Sequence, residues 1–260
     1  MTQIAKETLL ASFNAGIHLD GRKLTEYRKL TITTNVSRSA EGSARVLLGD
    51  TDIIVGVKLA LEKPYPDTPE KGNLMVNAEL RPLSNPRFEV GPPGDEAVEI
   101  ARVVDRGVRE GEAIDARALC VKPGELVWSV MIDICTINAA GGLIDASGIG
   151  ALTALINAKY PEHTEAVVHY EKRTTKSLPL AHQPLPVTVF KIGEHFLVDP
   201  LPEEEEHVDA RLTIALTEKN HISALQKGGS APLSKEDIYK MAEIAVKASQ
   251  ELRKQILREK

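Results

Sequence analysis

The apolar positions of the chain follow two periods. Residues 43–48 and 52–61 are β-branched and aliphatic runs separated by Gly49-Asp50-Thr51, a turn composition that predicts a hairpin. A strand over 29–36 precedes them, after a turn at 18–22 and a short opening helix over 3–13. Beyond a Pro-bearing loop at 63–71 comes a strand over 72–80. Residues 82–94 carry four prolines and two glycines, which excludes regular structure there. After Gly94 the period lengthens to that of a helix, with Ala97, Ala101, Val104 and Val108 on one face.

The second half begins with a long strand over 126–138 and the small-residue turn Ala139-Ala140-Gly141-Gly142. Residues 143–160 then read as a helix that is apolar almost all round and therefore buried. A connector over 174–186 leads to strands at 187–192 and 195–198, joined by Gly193-Glu194, and to two more at 210–216 and 221–225. In the last helix Ser234 and Asp237 form a capping-box pattern, and Ile238, Met241, Ala245, Ala248 and Leu252 line one face. This order predicts an α+β fold with hairpin-linked sheets and helices packed on one side. A single domain spanning 1–260 is expected, with two similar halves at about 20–125 and 126–260 as an architectural expectation, since no close internal repeat marks them.

Composition narrows the function classes. With 42% hydrophobic residues in 260, the chain can bury a proper core. The longest apolar runs are too short to span a bilayer and the amino terminus lacks a signal-peptide pattern, so no membrane contact and a cytoplasmic location are expected. A net charge of -5 excludes a uniformly positive surface, so any nucleic-acid contact must be local or shared with a more basic partner. Cys120 and Cys135 have neither metal nor redox spacing and read as buried core thiols.

Three features could carry chemistry. Arg102, Arg106 and Arg109 fall on one stripe of the helix after Gly94, where like charges repel unless an anion neutralises them. From the residues alone the stripe is better read as a solvated face, because Glu99, Asp105 and Glu110 are placed to pair with Arg102, Arg109 and Arg106. The run Glu203-Glu204-Glu205-Glu206-His207 suggests a metal or acid/base site, but consecutive loop side chains diverge, so a solvated turn is the expected form. Gly141-Gly142 opens a helix whose backbone N–H groups can face an anion, yet Leu143 and Ile144 supply no side-chain donor, so it reads as a packing turn. His18, His182, His195 and His221 stand isolated, and no nucleophile elbow occurs. No metal site and no cofactor is implied.

Taken together, Asp20-Gly21-Arg22, Glu26-Tyr27-Arg28, Gly42-Ser43-Ala44-Arg45, Gly49-Asp50-Thr51, Glu99-Ile100-Ala101-Arg102 and Gly141-Gly142 resemble the RNase PH family, in its order and spacing, over nearly the whole chain. The segments 101–106, 199–200 and 222–227 are most similar to the family's non-catalytic members in archaeal exosomes. The resemblance implies an RNase PH fold of the ribosomal protein S5 domain 2-like kind. It also implies that arginines holding RNA or phosphate in active members are Asp95 and Glu96 here. A phosphate-binding Gly-Gly-Thr-Arg becomes Gly141-Gly142-Leu143-Ile144, and two catalytic aspartates fall on Glu205 and Arg211. No catalytic residue is then expected. The same resemblance implies a heterodimer with a catalytic RNase PH-like subunit, three pairs in a hexameric ring, RNA-binding cap subunits, and single-stranded RNA gripped by Arg102, Arg106 and Arg109. The alternatives are a self-sufficient phosphorolytic exoribonuclease with an altered site, or a nucleotide-binding loop at Gly141-Gly142.

Overall fold

The expected hairpin forms β2 (Gly42–Leu48) and β3 (Thr51–Glu62), paired antiparallel from Leu48 and Thr51 outward across a two-residue turn. A computed structural model describes residues 6–258. β1 (Leu30–Thr34) pairs with β2, and β3 pairs antiparallel with β6 (Leu126–Asn138). β4 (Asn73–Glu79) joins β6 in parallel, a crossover that contains α2 (Asp95–Glu110), so this sheet is not linked by hairpins throughout. β5 (Cys120–Lys122) completes it. The second sheet has the order β10 (His195–Val198), β9 (Leu185–Ile192), β11 (Ala210–Leu216), β12 (Ile222–Gly228).

The apolar helix read from residue 143 onward is α3 (Leu143–Asn157), buried along nearly its full length as expected. It packs on β2 and β3 of the first sheet and β9 of the second. Two glycines permit this double contact. A Cβ at Gly148 would lie 2.1 Å from the Pro186 ring of β9, and one at Gly150 2.5 Å from Val55 of β3. α5 (Lys235–Arg258) covers the opposite face of the second sheet through Met241, Ala245, Ala248 and Leu252, while Ile238 of the expected apolar face is 40% exposed. Its start is a capping box as read: Asp237 N–H donates to Ser234 Oγ at 3.1 Å and Ser234 N–H to the Asp237 carboxylate at 3.0 Å. α1 (Lys6–Asn14) packs Leu9 and Phe13 on Phe190 and Ile192, and residues 3–5 of the expected opening helix lie outside the described residues.

One expectation fails in the middle of the chain. α3 stops at Asn157, three residues early, because Ala158 turns extended and begins a ribbon of β7 (Lys159–Thr164) and β8 (Val167–Ser177). The last four residues of β8 occupy the start of the expected connector. The ribbon is largely exposed on both faces, so no apolar alternation announces it. The cysteines differ too: Cys120 and Cys135 are half-buried, not core.

The two sheets are tied by a buried ion pair. Arg28 donates Nε to Asp199 Oδ2 at 2.9 Å and Nη2 to Oδ1 at 2.6 Å, with the Asp199 carboxylate inaccessible and the Arg28 side chain 7% exposed. The Arg28 backbone N–H donates to Oδ2 as well, at 2.7 Å. The same guanidinium donates to the carbonyls of Ala140 at 2.6 Å and Gly141 at 3.3 Å, and Thr51 Oγ1 donates to Gly141 O at 2.6 Å. The segment before β1, the turn before α3 and the turn after β10 therefore meet at one cation, and β3 joins them through Gly141 O. Arg28→Ala leaves the buried Asp199 carboxylate with only the more distant Arg22 guanidinium, 3.6 Å away, and we expect a loss of about 3 kcal/mol in urea unfolding. A loss below about 1 kcal/mol would show that the pair is not what joins the sheets.

Candidate functional site

At the amino end of α3, Arg87 of the Pro-rich loop, Glu96 and Glu99 of α2, Leu143 and Ile144, Thr188 of β9, Glu205 and Arg211 line a cavity of about 210 Å³. Of the positions singled out as replacing catalytic groups, Glu96, Leu143, Ile144, Glu205 and Arg211 converge here. Asp95 is exposed and does not line the cavity. The cavity's charges are largely paired internally. Arg87 Nη2 meets Glu96 at 2.8 Å, and Arg211 Nη2 donates to Glu99 Oε2 at 2.6 Å. The other Glu99 oxygen accepts from Gln226 at 3.3 Å, and Arg211 Nη1 is buried without a partner among the described residues. Leu143 and Ile144 present hydrocarbon to the cavity, and Arg211 places a cation in its wall.

Glu205 is the strained member. Burial and then the Glu96 carboxylate push it up to about 7, against the pull of Arg87, Arg211 and Arg28. Beneath the cavity, burial pushes Asp145 up to about 6, opposed by hydrogen bonds from Thr188 Oγ1 at 2.6 Å and the Tyr27 hydroxyl at 2.6 Å. Tyr27 is in turn held well above its ordinary range by its own burial and by Asp145.

The acidic run departs from the expected solvated turn. Residues 202–205 form a short helix, α4 (Pro202–Glu205), and Glu204 is completely buried. Its carboxylate lies 2.7 Å from His18 Nδ1 and accepts the backbone N–H groups of Leu19 and Leu201, each at 2.8 Å. Burial opposes ionisation of Glu204, yet these partners hold its carboxyl below the usual range. His18 is thus isolated only along the chain. His182 is also partnered, with Glu218 at 3.0 Å. Neighbouring carboxylates diverge, as the loop argument requires, but they diverge into the protein: Glu204 toward His18 and Glu205 toward the cavity.

Arg102, Arg106 and Arg109 lie along the outer side of α2, opposite buried Ala97, Val104 and Val108. Two are engaged. Arg106 Nη2 donates to Leu225 O of β12 at 2.6 Å and to Gln226 at 3.1 Å; Arg109 pairs with Asp105 at 2.7 Å and donates to Leu74 O of β4 at 3.0 Å. Of the three pairings foreseen, Arg109 with Asp105 forms, whereas Glu99 goes to Arg211 and Arg106 takes backbone carbonyl. Arg102 is exposed, with no hydrogen bond or ion pair among the described residues. Arg87 went unremarked in the sequence, because nothing in the Pro-rich loop shows that it folds back over α2. No helix among the described residues is long and apolar enough to cross a membrane.

A two-sheet fold with a Gly-Gly helix start facing a cavity defines the class: the chain belongs to the 3' exoribonuclease family, whose domain 1 matches residues 26–161 and domain 2 residues 182–248. The chain is 42% identical to the exosome complex component Rrp42 of Thermococcus kodakarensis, over 99% of this chain and 96% of that one. The Methanopyrus kandleri component of the same name is 41% identical, over 98% and 97%. A solved structure of the Archaeoglobus fulgidus exosome with RNA bound to the active site contains a chain 40% identical, with a TM-score of 0.89 and 96% of each chain covered. Rice Rrp46, 18% identical at a TM-score of 0.69, shares the fold alone.

Glu205 has a measurable signature. Its carboxyl is raised from 4.5 to about 7 on folding, so its contribution favours the fold fully below pH 4.5 and is lost as pH rises through 7. Glu205→Gln should be more stable than the parent by about 1–2 kcal/mol at pH 8, discounted for its partial exposure, with the difference closing toward pH 4.5. Parallel stability curves across that interval would mean that Glu205 ionises as freely as in water.

Proposed function

We propose that the chain is a non-catalytic component of an exosome, a 3'-to-5' RNA-degrading complex, acting as a single RNase PH-like unit. It pairs with a catalytic RNase PH-like subunit, helps to form that subunit's active site and binds RNA in the channel of a ring built from three such pairs, beneath RNA-binding caps. A cytoplasmic location suits this role. The observation that carries the non-catalytic reading is the head of α3. There Leu143 and Ile144 supply hydrocarbon where the resemblance implies phosphate-holding side chains, Arg211 takes a position where it implies a carboxylate, and Arg87 and Arg211 are each paired with a glutamate. Phosphorolysis requires a positioned phosphate and stabilisation of charge at the scissile group, and a cavity whose two guanidinia are each tied to a glutamate supports the view that both come from the partner.

The RNA-facing surface in this reading is the α2 stripe. Arg102 offers its whole guanidinium to a phosphate. Arg106 keeps donors besides the one used on Leu225 and Gln226, and Arg109 contributes charge already balanced by Asp105. Contacts of this kind hold a strand without reading its bases and weaken with salt.

Two measurements test the proposal. The purified chain alone should not shorten RNA in the presence of inorganic phosphate; phosphate-dependent shortening that Glu205→Gln abolishes would make it an enzyme in its own right. In a complex co-expressed with the catalytic paralogue, Arg102→Glu should leave assembly intact. It should lower RNA affinity roughly tenfold at low salt and reduce the salt slope by about one. Unchanged affinity returns the stripe to a solvated face.

A further inference from the structure

The loop between β3 and β4 places an aromatic ring beside the arginine stripe. Its base is pinned where Asn73 Nδ2 donates to Lys63 O at 3.2 Å and to Ser129 Oγ at 2.9 Å, and where Gly72 N–H donates to Ala116 O at 2.8 Å. Within it Thr68 N–H closes a turn on Tyr65 O at 3.0 Å, and Gly124 N–H reaches Pro69 O at 2.8 Å. Pro64 and Pro66 flank Tyr65 and fix the backbone on each side. The loop is thus ordered by its own bonds, and its tyrosine is 49% exposed.

The next residue after the pinned Asn73 is Leu74, whose carbonyl receives the Arg109 guanidinium. Asn73 also holds Lys63 O, two residues before Tyr65, so the loop bearing Tyr65 leaves the sheet at the carboxy-terminal end of the stripe. Tyr65 also differs from the other exposed tyrosines. A lysine ammonium sits 4.4 Å from the ring centre of Tyr170 and 5.7 Å from that of Tyr239, whereas no cation or second ring covers Tyr65 among the described residues. Arg102 to Arg109 spans about 10 Å along α2, a length that takes two or three phosphates of an extended strand.

We propose that Tyr65 is a stacking platform for a base of single-stranded RNA whose phosphates lie on Arg102 and Arg106. Arg109, held by Asp105 and Leu74 O, stiffens the platform and takes no phosphate of its own. The inference rests on the RNA-guiding reading above and adds to it a contact that depends on bases. A stiff aromatic costs little conformational entropy on binding, and every base offers a face to it, so the contact is tolerant of sequence.

The test uses the complex with the catalytic paralogue and two fluorescent probes of equal length, a single-stranded oligoribonucleotide and its abasic counterpart. Tyr65→Ala should weaken the base-bearing probe roughly 5- to 20-fold and leave the abasic probe unchanged, while Tyr65→Phe keeps the parental affinity. If Tyr65→Ala changes nothing while Arg102→Glu weakens both probes, the platform is wrong and the phosphate stripe stands. Equal weakening of both probes by Tyr65→Ala would mean a disturbed loop and also overturn the platform. If neither variant alters either probe, the RNA-guiding reading fails with it.

Discussion

Arg28 and Asp199 are charges removed from water where the two sheets meet, and such a pair is tolerable only when its remaining hydrogen-bonding capacity is met. Here it is met by backbone. The Asp199 carboxylate takes the Arg28 N–H besides the guanidinium, and the guanidinium goes on to the carbonyls of Ala140 and Gly141. Asp199 itself sits at φ +48, a conformation that aspartate tolerates better than most residues and that its fixed carboxylate holds. The turn that starts α3 and the turn that leads to α4 are consequently set by the same few bonds. Glu205 and the head of α3 could not line one cavity otherwise.

That dependence separates the cavity's frame from the side chains that line it. The backbone frame is anchored by Arg28, Asp199 and Thr51, none of which lines the cavity, so side chains facing it can change without loss of the fold. What fills it now is a set of opposed charges, Arg87 with Glu96 and Arg211 with Glu99, that neutralise one another. Arg211 does structural work in this arrangement, joining β11 to α2. The outer stripe of α2 keeps Arg102 unneutralised, and the proposed interaction with RNA falls on that side of the helix.

Elements whose burial follows a period were legible in the sequence. The β2–β3 hairpin, β6, α2 and the buried α3 appeared where the apolar pattern put them, and Ser234 with Asp237 capped the last helix. The exposed β7–β8 ribbon had no such pattern, and the parallel partnership of β4 with β6 depends on a crossover that local composition does not encode. For the site, the motif positions on Leu143, Ile144, Glu205 and Arg211 were readable because their order along the chain is distinctive. Arg87, and the burial of Glu204 on His18 186 residues away, were not: both follow from loops brought together by tertiary contacts.

β4 and β12 each form one edge of their sheet, and such an edge would ordinarily offer a row of bare carbonyls to a passing chain. Arg109 sits on the Leu74 carbonyl of one and Arg106 on the Leu225 carbonyl of the other. An incoming strand would have to displace a guanidinium at each place before extending the ladder. The helix between the sheets therefore blocks one edge of each against fibre-like, edge-to-edge growth.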